Sequence, residues 1–160
     1  MALREKHDGA LTARTDVRLW LRLLSCSTVI EKRLRRRFVA QFDTTLPRFD
    51  VMATLDRHPD GVTMGELSRA ILVSNGNVTA LVRQLEGDGF AVSRPVPEDR
   101  RSSIVVLTKA GREHFARLAE AHHGWISRML AGMPREDKTA LYGLLAGLKS
   151  SIAADEDEVA

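Results

Sequence analysis

Residues 98–111 read Glu-Asp-Arg-Arg-Ser-Ser-Ile-Val-Val-Leu-Thr-Lys-Ala-Gly, and this stretch decides the fold. Its β-branched run at 104–107 is typical of a strand, and the segment 90–94 predicts a second short strand before it. The charged segment between the two strands follows Pro95 and Pro97. We therefore expect a β-hairpin with arginines at its tip.

Two short helices are predicted directly before the hairpin. Thr63 and Glu66 have the spacing of a capping box, in which each side chain bonds the other residue's backbone N–H. A second helix begins at Ser74, its predicted N-cap, and runs to about Asp88, ended by Gly87 and Gly89. Two short helices followed by a hairpin are typical of a winged helix-turn-helix.

The second of these helices has one apolar and one polar face. Its apolar residues recur at helical spacing and predict burial, whereas the polar face combines small residues with side chains that can pair with base edges. A solvated surface is the ordinary interpretation of such a face. The preceding helix and the following hairpin favour DNA contact instead. The helix residues predicted to contact DNA are Ser74, Asn75, Asn77, Thr79, Arg83 and Gln84.

The arginines of the hairpin give it a separate role in DNA binding. Asp99 can hold one neighbouring arginine in place while the other enters a narrow minor groove. We expect Arg101 to enter the groove, with Arg100 as the second candidate, and Arg94 to add a cation on the adjacent strand. The alternative is a charged turn that keeps a sheet edge soluble.

The net charge of +3 is distributed unevenly along the chain. Ten basic and five acidic residues give 1–43 a charge of +5, whereas seven basic and eight acidic residues give 44–107 a charge of −1. The segment predicted to read DNA is therefore not basic overall. Contact with DNA must depend on a few well-placed cations.

The hairpin and the residues that follow it resemble a known signature. Asp99-Arg100-Arg101 followed by Leu107-Thr108-Lys109-Ala110-Gly111 is similar to the D-x-R and L-T-x-x-G pattern of MarR-type transcriptional regulators. The order of predicted elements over 16–152 is also similar. The resemblance implies an obligate homodimer, a palindromic double-stranded DNA operator, and repression that a small ligand relieves.

A second resemblance concerns a branch of that family. The segments 46–51, 64–69 and 73–79 resemble regulators of the breakdown of hydroxycinnamic and related aromatic acids. This resemblance implies that the ligand is an aromatic acid or its CoA thioester.

A homodimer is also expected without the resemblance. The helical patterns at 16–41, 108–131 and 134–153 carry apolar stripes that a small winged domain is too short to cover. Left alone they would expose large apolar patches, which soluble monomers avoid. A two-fold partner would cover them and place two recognition helices roughly 34 Å apart, one turn of DNA. The alternative is an extended monomer with a helical cap.

The predicted fold class is mainly α with a small β-hairpin, a winged helix-turn-helix with N- and C-terminal dimerisation helices. Asp16 and Thr108 are the predicted N-caps of the long helices, Pro134 lies in the first turn of the last one, and Leu46-Pro47 begins a shorter helix. The predicted regions are a flexible tail at 1–15, dimerisation helices at 16–43 and 108–153, the winged helix-turn-helix at 44–107 and a disordered acidic tail at 154–160.

An arginine-rich cluster between the first two helices is the candidate effector site. It could bind the carboxylate of an aromatic acid or the phosphates of an acyl-CoA, or it could be a solvated face or a phosphate-backbone contact. Most of the apolar candidates are also typical of ordinary core. The residues predicted to bind this ligand are Trp20, Leu24, Arg33, Arg36, Arg37, Phe38, Arg48, Phe49 and Met52.

Composition excludes several other classes of protein. No apolar run approaches the length of a membrane span, which is roughly 20 residues. Residues 1–16 lack the apolar segment of a secretory signal. The single cysteine, Cys26, excludes an internal disulfide and fits a reducing compartment. We expect a soluble cytoplasmic protein that does not contact membranes and needs no cofactor.

Cysteine and histidine chemistry gives two further alternatives. Cys26 could make the protein a redox-sensing regulator, but the one tyrosine, Tyr142, lies far along the chain, and we expect a packed, inert thiol. His114, His122 and His123 lack the i, i+4 spacing of a metal pair, so no metal site is predicted. No nucleophile–base pair or glycine-rich phosphate loop indicates an enzyme. A winged-helix module for protein contacts, without DNA binding, stays open.

Overall fold

The computed structural model describes residues 14–71, 75–96 and 99–156, which form six helices and three strands. This confirms the predicted mainly α fold with a small β element, whereas the dimerising role of the terminal helices stays a prediction. The chain divides into two compact units, with the boundary between His123 and Gly124 inside the fifth helix. The elements are α1 (Thr15–Phe42), α2 (Leu46–Arg57), β1 (Val62–Thr63), α3 (Met64–Ile71), α4 (Asn75–Gly87), β2 (Ala91–Val96), β3 (Asp99–Leu107), α5 (Lys109–Met129) and α6 (Arg135–Glu156).

The long terminal helices differ from their predicted ends. Asp16 was predicted as the N-cap of α1, but Arg14 occupies that position with φ 74°, and its side chain makes no capping bond. Asp16 lies in the first turn instead, where its carboxylate faces the positive end of the helix dipole. The N-cap prediction was therefore wrong by two residues.

The second unit contains the last helix, which begins at Arg135, directly after Pro134, and ends at Glu156. Residues 154–156, predicted as part of a disordered tail, are thus helical, because the alanines before them are strong helix formers. Residues 157–160 lie outside the described part of the chain. Within that part, no helix has the length and apolarity needed to cross a membrane.

The short helices of the first unit begin at side-chain caps. Thr45 Oγ1 accepts a bond from the backbone N–H of Arg48 at 3.4 Å, at the start of α2. The predicted capping box of α3 is confirmed: the Thr63 N–H and hydroxyl both donate to Glu66 Oε2 at 2.8 Å, and the Glu66 N–H donates to Thr63 Oγ1 at 3.3 Å. These bonds to Thr63 lower the pKa of the Glu66 carboxyl.

A three-stranded antiparallel sheet replaces the predicted two-stranded hairpin, with strand order β1-β3-β2. The extra strand, β1, pairs Val62 with Val105 and Thr63 with Ile104. Two residues are too few to show the alternating pattern by which a strand is recognised in a sequence. The chain enters β1 through Gly61, whose φ of 99° favours glycine.

The arginine-bearing segment is assigned to the start of strand β3, next to the hairpin turn, and not to a loop. β3 begins at Asp99, which pairs with Val96, and Pro95 pairs with Ser103. The two prolines suggested an end to the first strand. β2 is an edge strand, however, and an edge position tolerates proline because one side of its backbone needs no partner. The ladder shifts register between Pro95 and Val96.

An aromatic cluster joins three helices within the first unit. The ring centroids of Phe38 on α1 and Phe49 on α2 lie 4.9 Å apart, and Phe115 of α5 lies 5.6 Å from Phe49. The ring of His122, also on α5, lies 4.7 Å from Phe49. Both phenylalanines of the first pair are buried. The contacts place α2 between the two long helices.

The junction between β3 and α5 depends on Thr108. The predicted N-cap is confirmed, since Thr108 Oγ1 accepts a bond from the Gly111 N–H at 2.9 Å. Its hydroxyl donates to the Gly89 carbonyl at 2.7 Å, and its N–H donates to the Phe90 carbonyl at 3.0 Å. One residue thus caps α5 and ties it to the start of β2.

Gly111 lies against the backbone of the same segment. A Cβ atom at this position would lie 1.9 Å from the Phe90 carbonyl oxygen and 2.8 Å from its carbonyl carbon. Backbone atoms cannot move aside as the end of a flexible side chain can. The glycine of the L-T-x-x-G pattern is therefore required for α5 to approach Phe90.

We expect Gly111→Ala to lower the free energy of unfolding by about 2–3 kcal/mol, because the added methyl overlaps backbone atoms. Urea denaturation followed by circular dichroism, at fixed protein concentration, measures this change. The matched control is Gly143→Ala in α6, where an added Cβ has no atom within 4 Å. Helix propensity predicts that the control gains up to about 1 kcal/mol. Wild-type stability in Gly111→Ala would contradict the close approach.

Candidate nucleic-acid interface

The α4 helix separates its apolar and polar residues as predicted. Val78, Val82 and Leu85 are at most 3% exposed and form its buried side. Arg83 and Gln84 are exposed, so their side chains are available to an external partner. A long guanidinium and an amide on one exposed helix face can reach base edges in a major groove.

The remaining helix residues predicted to contact DNA differ in what the structure says of them. Asn77 is exposed, and Thr79 is half-buried at the edge of the polar face. Ser74 lies outside the described residues, and only the backbone of Asn75 is described, as the first residue of α4. The face that the structure supports therefore centres on Asn77, Arg83 and Gln84.

The hairpin of β2 and β3, which we call the wing, follows α4 after a sharp corner. Arg94 is exposed on β2 and pairs with Ile104 of β3. Asp99, Arg100 and Arg101 belong to β3, and the structure describes only their backbone. Arg94 thus lies at a paired position, whereas Arg100 and Arg101 lie on β3 where the ladder shifts register.

The corner itself is a Schellman motif that ends α4. The Phe90 N–H donates to the Leu85 carbonyl at 2.8 Å, and the Gly89 N–H donates to the Glu86 carbonyl at 2.9 Å. Gly89 has a φ of 75°. This value favours glycine and confirms its predicted role as the end of the helix. The chain therefore passes from α4 into the wing within three residues.

An ion pair attaches the corner to α2. Arg48 Nη2 contacts Asp88 Oδ2, and the Arg48 side chain is only 16% exposed, compared with 46% for Asp88. Arg48 was predicted to bind an effector together with the arginines of α1. The structure instead pairs it with the residue that follows α4, 40 positions further along the chain. Its charge is therefore committed within the fold.

A ring contact attaches the corner to α5. The Phe90 ring stacks on His114 with centroids 4.3 Å apart and an interplanar angle of 8°. Burial lowers the pKa of the His114 imidazole, and the positive charges of Arg117 and Arg48 lower it further, against the attraction of Asp88. The end of α4 is thus held between α2 and α5.

Sequence reasoning missed the roles of Glu86 and Asp88, the acidic residues at the end of α4. Glu86 accepts hydrogen bonds from Ser93 of the wing, and Asp88 pairs with Arg48. Carboxylates near the negative end of a helix dipole are unfavourable unless they have partners. The occurrence of two acidic residues at this end of the helix could have indicated that they have partners, but it does not identify those partners.

The residues predicted to bind an effector differ widely in exposure. Phe38, Phe49 and Met52 are buried in the core, whereas Trp20 is 59% and Leu24 42% exposed on α1. Arg33 and Arg36 are exposed and Arg37 is half-buried.

A cleft between α2 and α3 contains just one of the predicted ligand residues, Phe49. Its volume is about 340 Å³. This size lies within the range of small-molecule sites. Burial raises the pKa of the Asp50 carboxyl in its wall; Arg35 lowers it, Glu31 raises it and Arg57 lowers it. The lining residues are Phe49, Asp50, Ala53, Thr54, Arg57, Ala70 and Ile71.

Cysteine and histidine give no further site among the described residues. Cys26 is exposed on α1, so the expectation of a packed cysteine was wrong. No group of three or more potential metal ligands occurs in the described ranges. His122 lies in the aromatic cluster, where burial lowers the pKa of its imidazole and the neighbouring His123 lowers it further.

Comparison with known proteins identifies similar regulators. A sequence model of the MarR family matches residues 42–102. The transcriptional activatory protein BadR of Rhodopseudomonas palustris is 34% identical over 117 residues, which cover 71% of this chain and 66%, just under two thirds, of that protein.

Solved structures extend the similarity to the full fold. A MarR family transcriptional regulator from Silicibacter pomeroyi is 33% identical, with 90% of this chain and 99% of that chain covered and a TM-score of 0.75. The transcriptional repressor CouR, bound to a 23-mer DNA duplex, is 26% identical, with 88% and 99% covered and a TM-score of 0.74. These relatives are transcriptional regulators and not enzymes, which confirms the prediction that the chain is not an enzyme.

The two partly buried histidines predict how stability depends on pH. The folded pKa of each imidazole lies below the ordinary value of 6.5. As the pH falls below about 6.5, the unfolded chain therefore binds more protons than the folded chain does. Stability is therefore full above about pH 6.5 and declines as the pH drops through the folded pKa values. Urea denaturation should give a lower free energy of unfolding at about pH 5.5 than at about pH 7.5.

Replacing the histidines tests that origin. His114→Gln combined with His122→Gln should make the decline smaller, whereas His58→Gln, on an exposed residue after α2, is the matched control and should leave it in place. An equal decline in the double variant and the wild type would contradict the assignment.

Proposed function

This chain belongs to the MarR family of transcriptional regulators, and we propose that it binds a palindromic DNA operator as a homodimer and represses transcription until a small anionic aromatic ligand releases it. The observation that carries the proposal is the exposed face of α4, with Asn77, Arg83 and Gln84, next to the wing. Because such a regulator must reach DNA, we propose that it is located in the cytoplasm.

The exposed face of α4 supports direct reading of bases in the major groove. Arg83 can donate two hydrogen bonds to a guanine, and Asn77 and Gln84 can each pair with an adenine. The buried side of α4 fixes the helix to the core, so these side chains keep a defined direction. The DNA duplex bound to the related repressor CouR supports the same use of this fold.

The wing supports a second contact, in the minor groove. Arg101 is the proposed groove residue, with Arg100 as its alternative, and Arg94 is proposed to contact phosphate. Because the winged region has a net charge of −1, each of these cations contributes a large share of the attraction to DNA. Affinity should therefore be sensitive to single substitutions.

Exposed apolar residues in each of the two units support the homodimer. Val17, Trp20 and Leu24 are exposed on α1, in the first unit. Leu144 is 72% and Ile152 56% exposed on α6, in the second. A soluble monomer rarely leaves such helix faces uncovered. A two-fold partner would cover them and would match the symmetry of a palindromic operator.

Repression is proposed because CouR, a relative solved with a bound DNA duplex, is a repressor. The name of BadR describes an activator and that of CouR a repressor, so the relatives differ in this respect. The structure exposes the polar face of α4, and hydrogen bonds and an ion pair hold the corner that orients it. A ligand would act by disturbing this arrangement.

The proposed effector is an aromatic acid or its CoA thioester. Exposed arginines on α1, Arg33 and Arg36, support an anionic ligand, and so does Arg57 in the cleft. The cleft ends at Ile71, the last residue of α3 before the connection to α4. A ligand in the cleft would therefore lie next to the segment that leads to the recognition helix.

We expect Arg83→Ala and Arg101→Ala each to weaken operator binding by about 1–3 kcal/mol while leaving the dimer intact. The operator is a duplex that the wild-type protein selects from a random-sequence pool. Fluorescence anisotropy gives the affinity, and sedimentation gives the oligomeric state. Lys138→Ala, on an exposed cation of α6, is the charge-matched control and should bind normally.

Salt dependence separates DNA binding from a protein-contact role. The log–log slope of affinity against salt should be about −0.9 for each phosphate neutralised. A wild-type protein without measurable, salt-dependent DNA affinity would contradict the proposal and favour the protein-contact alternative.

We expect an anionic aromatic ligand to release the operator complex and restore transcription from a template that carries the operator. Titration with p-coumarate, benzoate and their CoA esters measures release. Arg57→Gln should abolish the response if the cleft holds the ligand, whereas Arg36→Gln should abolish it if the arginines of α1 do. No release by any of these compounds would overturn the effector assignment.

A further inference from the structure

Glu86 makes an unusual contact between α4 and the wing. It lies in the last turn of α4, half-buried, and its Oε1 accepts two hydrogen bonds from Ser93 of β2. The Ser93 N–H donates at 2.9 Å and the Ser93 hydroxyl at 2.6 Å. Both donors thus converge on one carboxylate oxygen.

Apart from these hydrogen bonds, the surroundings of Glu86 disfavour a negative charge for two reasons. A carboxylate in the last turn of a helix meets the negative end of the dipole, which disfavours its charged form. It also lies three residues after Arg83, at the edge of a face proposed to approach a polyanion. A lysine would suit both surroundings better. A carboxylate, unlike a lysine, can accept the charge-assisted hydrogen bonds from Ser93.

Ser93 lies at the root of the wing. It pairs with Val105 of β3, and Arg94 is the next residue along β2. From Ser93 to Val96, where the hairpin turns, the strand extends about 10 Å. A tilt of about 10° at the root would therefore displace the turn by about 2 Å, enough to break a hydrogen bond.

In addition to its ladder with β3, β2 is attached to the end of α4 at two separate points. The corner at Gly89 and Phe90, held by Thr108, fixes where the strand begins. The contact of Glu86 with Ser93 fixes a second point further along the strand. The second point restricts the angle between β2 and α4 more than the corner and the ladder with β3 do without it.

We propose that Glu86 is a positioning residue that fixes the wing to the recognition helix, so that both meet DNA as one rigid unit. This inference rests on the proposed DNA binding, in which α4 and the wing contact neighbouring grooves. Glu86 itself contacts no base in this role, and it acts through Ser93.

Simple electrostatics and positioning predict opposite results for Glu86→Ala. Removing a negative charge near DNA should tighten binding if Glu86 has no positioning role. If it positions the wing, Glu86→Ala should bind the selected operator about tenfold more weakly, the scale of one lost specific contact. Hydroxyl-radical footprinting should show lost protection in the minor groove and retained protection in the major groove. Glu86→Gln, which keeps an acceptor for Ser93, should bind close to wild type.

A double-mutant cycle tests whether Glu86 affects DNA binding through the wing. In an Arg101→Ala background the proposed minor-groove contact is absent, so Glu86→Ala should cost less than it does in the wild type. Ser93→Ala should show a smaller loss than Glu86→Ala because its N–H remains. Ser103→Ala on β3 is the matched control and should leave binding unchanged. Additive losses in the double variant, or wild-type affinity in Glu86→Ala, would overturn the proposal.

Hydrogen exchange tests the contact without DNA. The Ser93 amide should exchange faster in Glu86→Ala than in the wild type, and unchanged exchange would overturn the proposal. If the wild-type protein binds no DNA, the proposed function fails whatever the exchange rates show. The two failures are therefore distinguishable.

Discussion

The close approach of the Phe90 carbonyl to Gly111 is the constraint on which the rest of the winged region depends. It brings the start of β2 against the first turn of α5, where Thr108 bonds both Gly89 and Phe90. A side chain at residue 111 would push these segments apart. Direct contacts consequently join the end of α4, the start of the wing and the start of α5. A displacement of one of these segments would displace the others.

This shared corner also connects the proposed DNA-binding surface to α2, which lines the candidate effector cleft, and to α5. Asp88 reaches α2 through Arg48, and Phe90 reaches α5 through His114. α2 in turn lines the cleft and contributes Phe49 to the aromatic cluster. A ligand changes DNA affinity only if it binds two arrangements of the protein unequally. The corner is a place where such arrangements would differ, because displacing α2 pulls directly on the residue that follows α4.

Features set by neighbouring residues could be predicted from the sequence. The capping box of Thr63 and Glu66, the N-cap at Thr108 and the helix end at Gly89 each depend on residues within four positions. The strand β1 could not be predicted, since its pairing partner lies far along the chain in β3. The contact between Arg48 and Asp88 was hidden for the same reason.

The same distinction explains why net charge is a poor guide to this surface. The winged region sums to −1, which argues against DNA binding if every charge is counted equally. Yet Glu66, Glu86 and Asp88 are each engaged within the fold, by Thr63, Ser93 and Arg48 in turn. Arg83 and Arg94 remain exposed on α4 and β2. An approaching phosphate interacts most strongly with charges that are near and solvent-exposed, because distant ones are screened within about 10 Å. The fold thus commits several acids to internal contacts and leaves cations on the proposed binding face, a division that composition alone does not reveal.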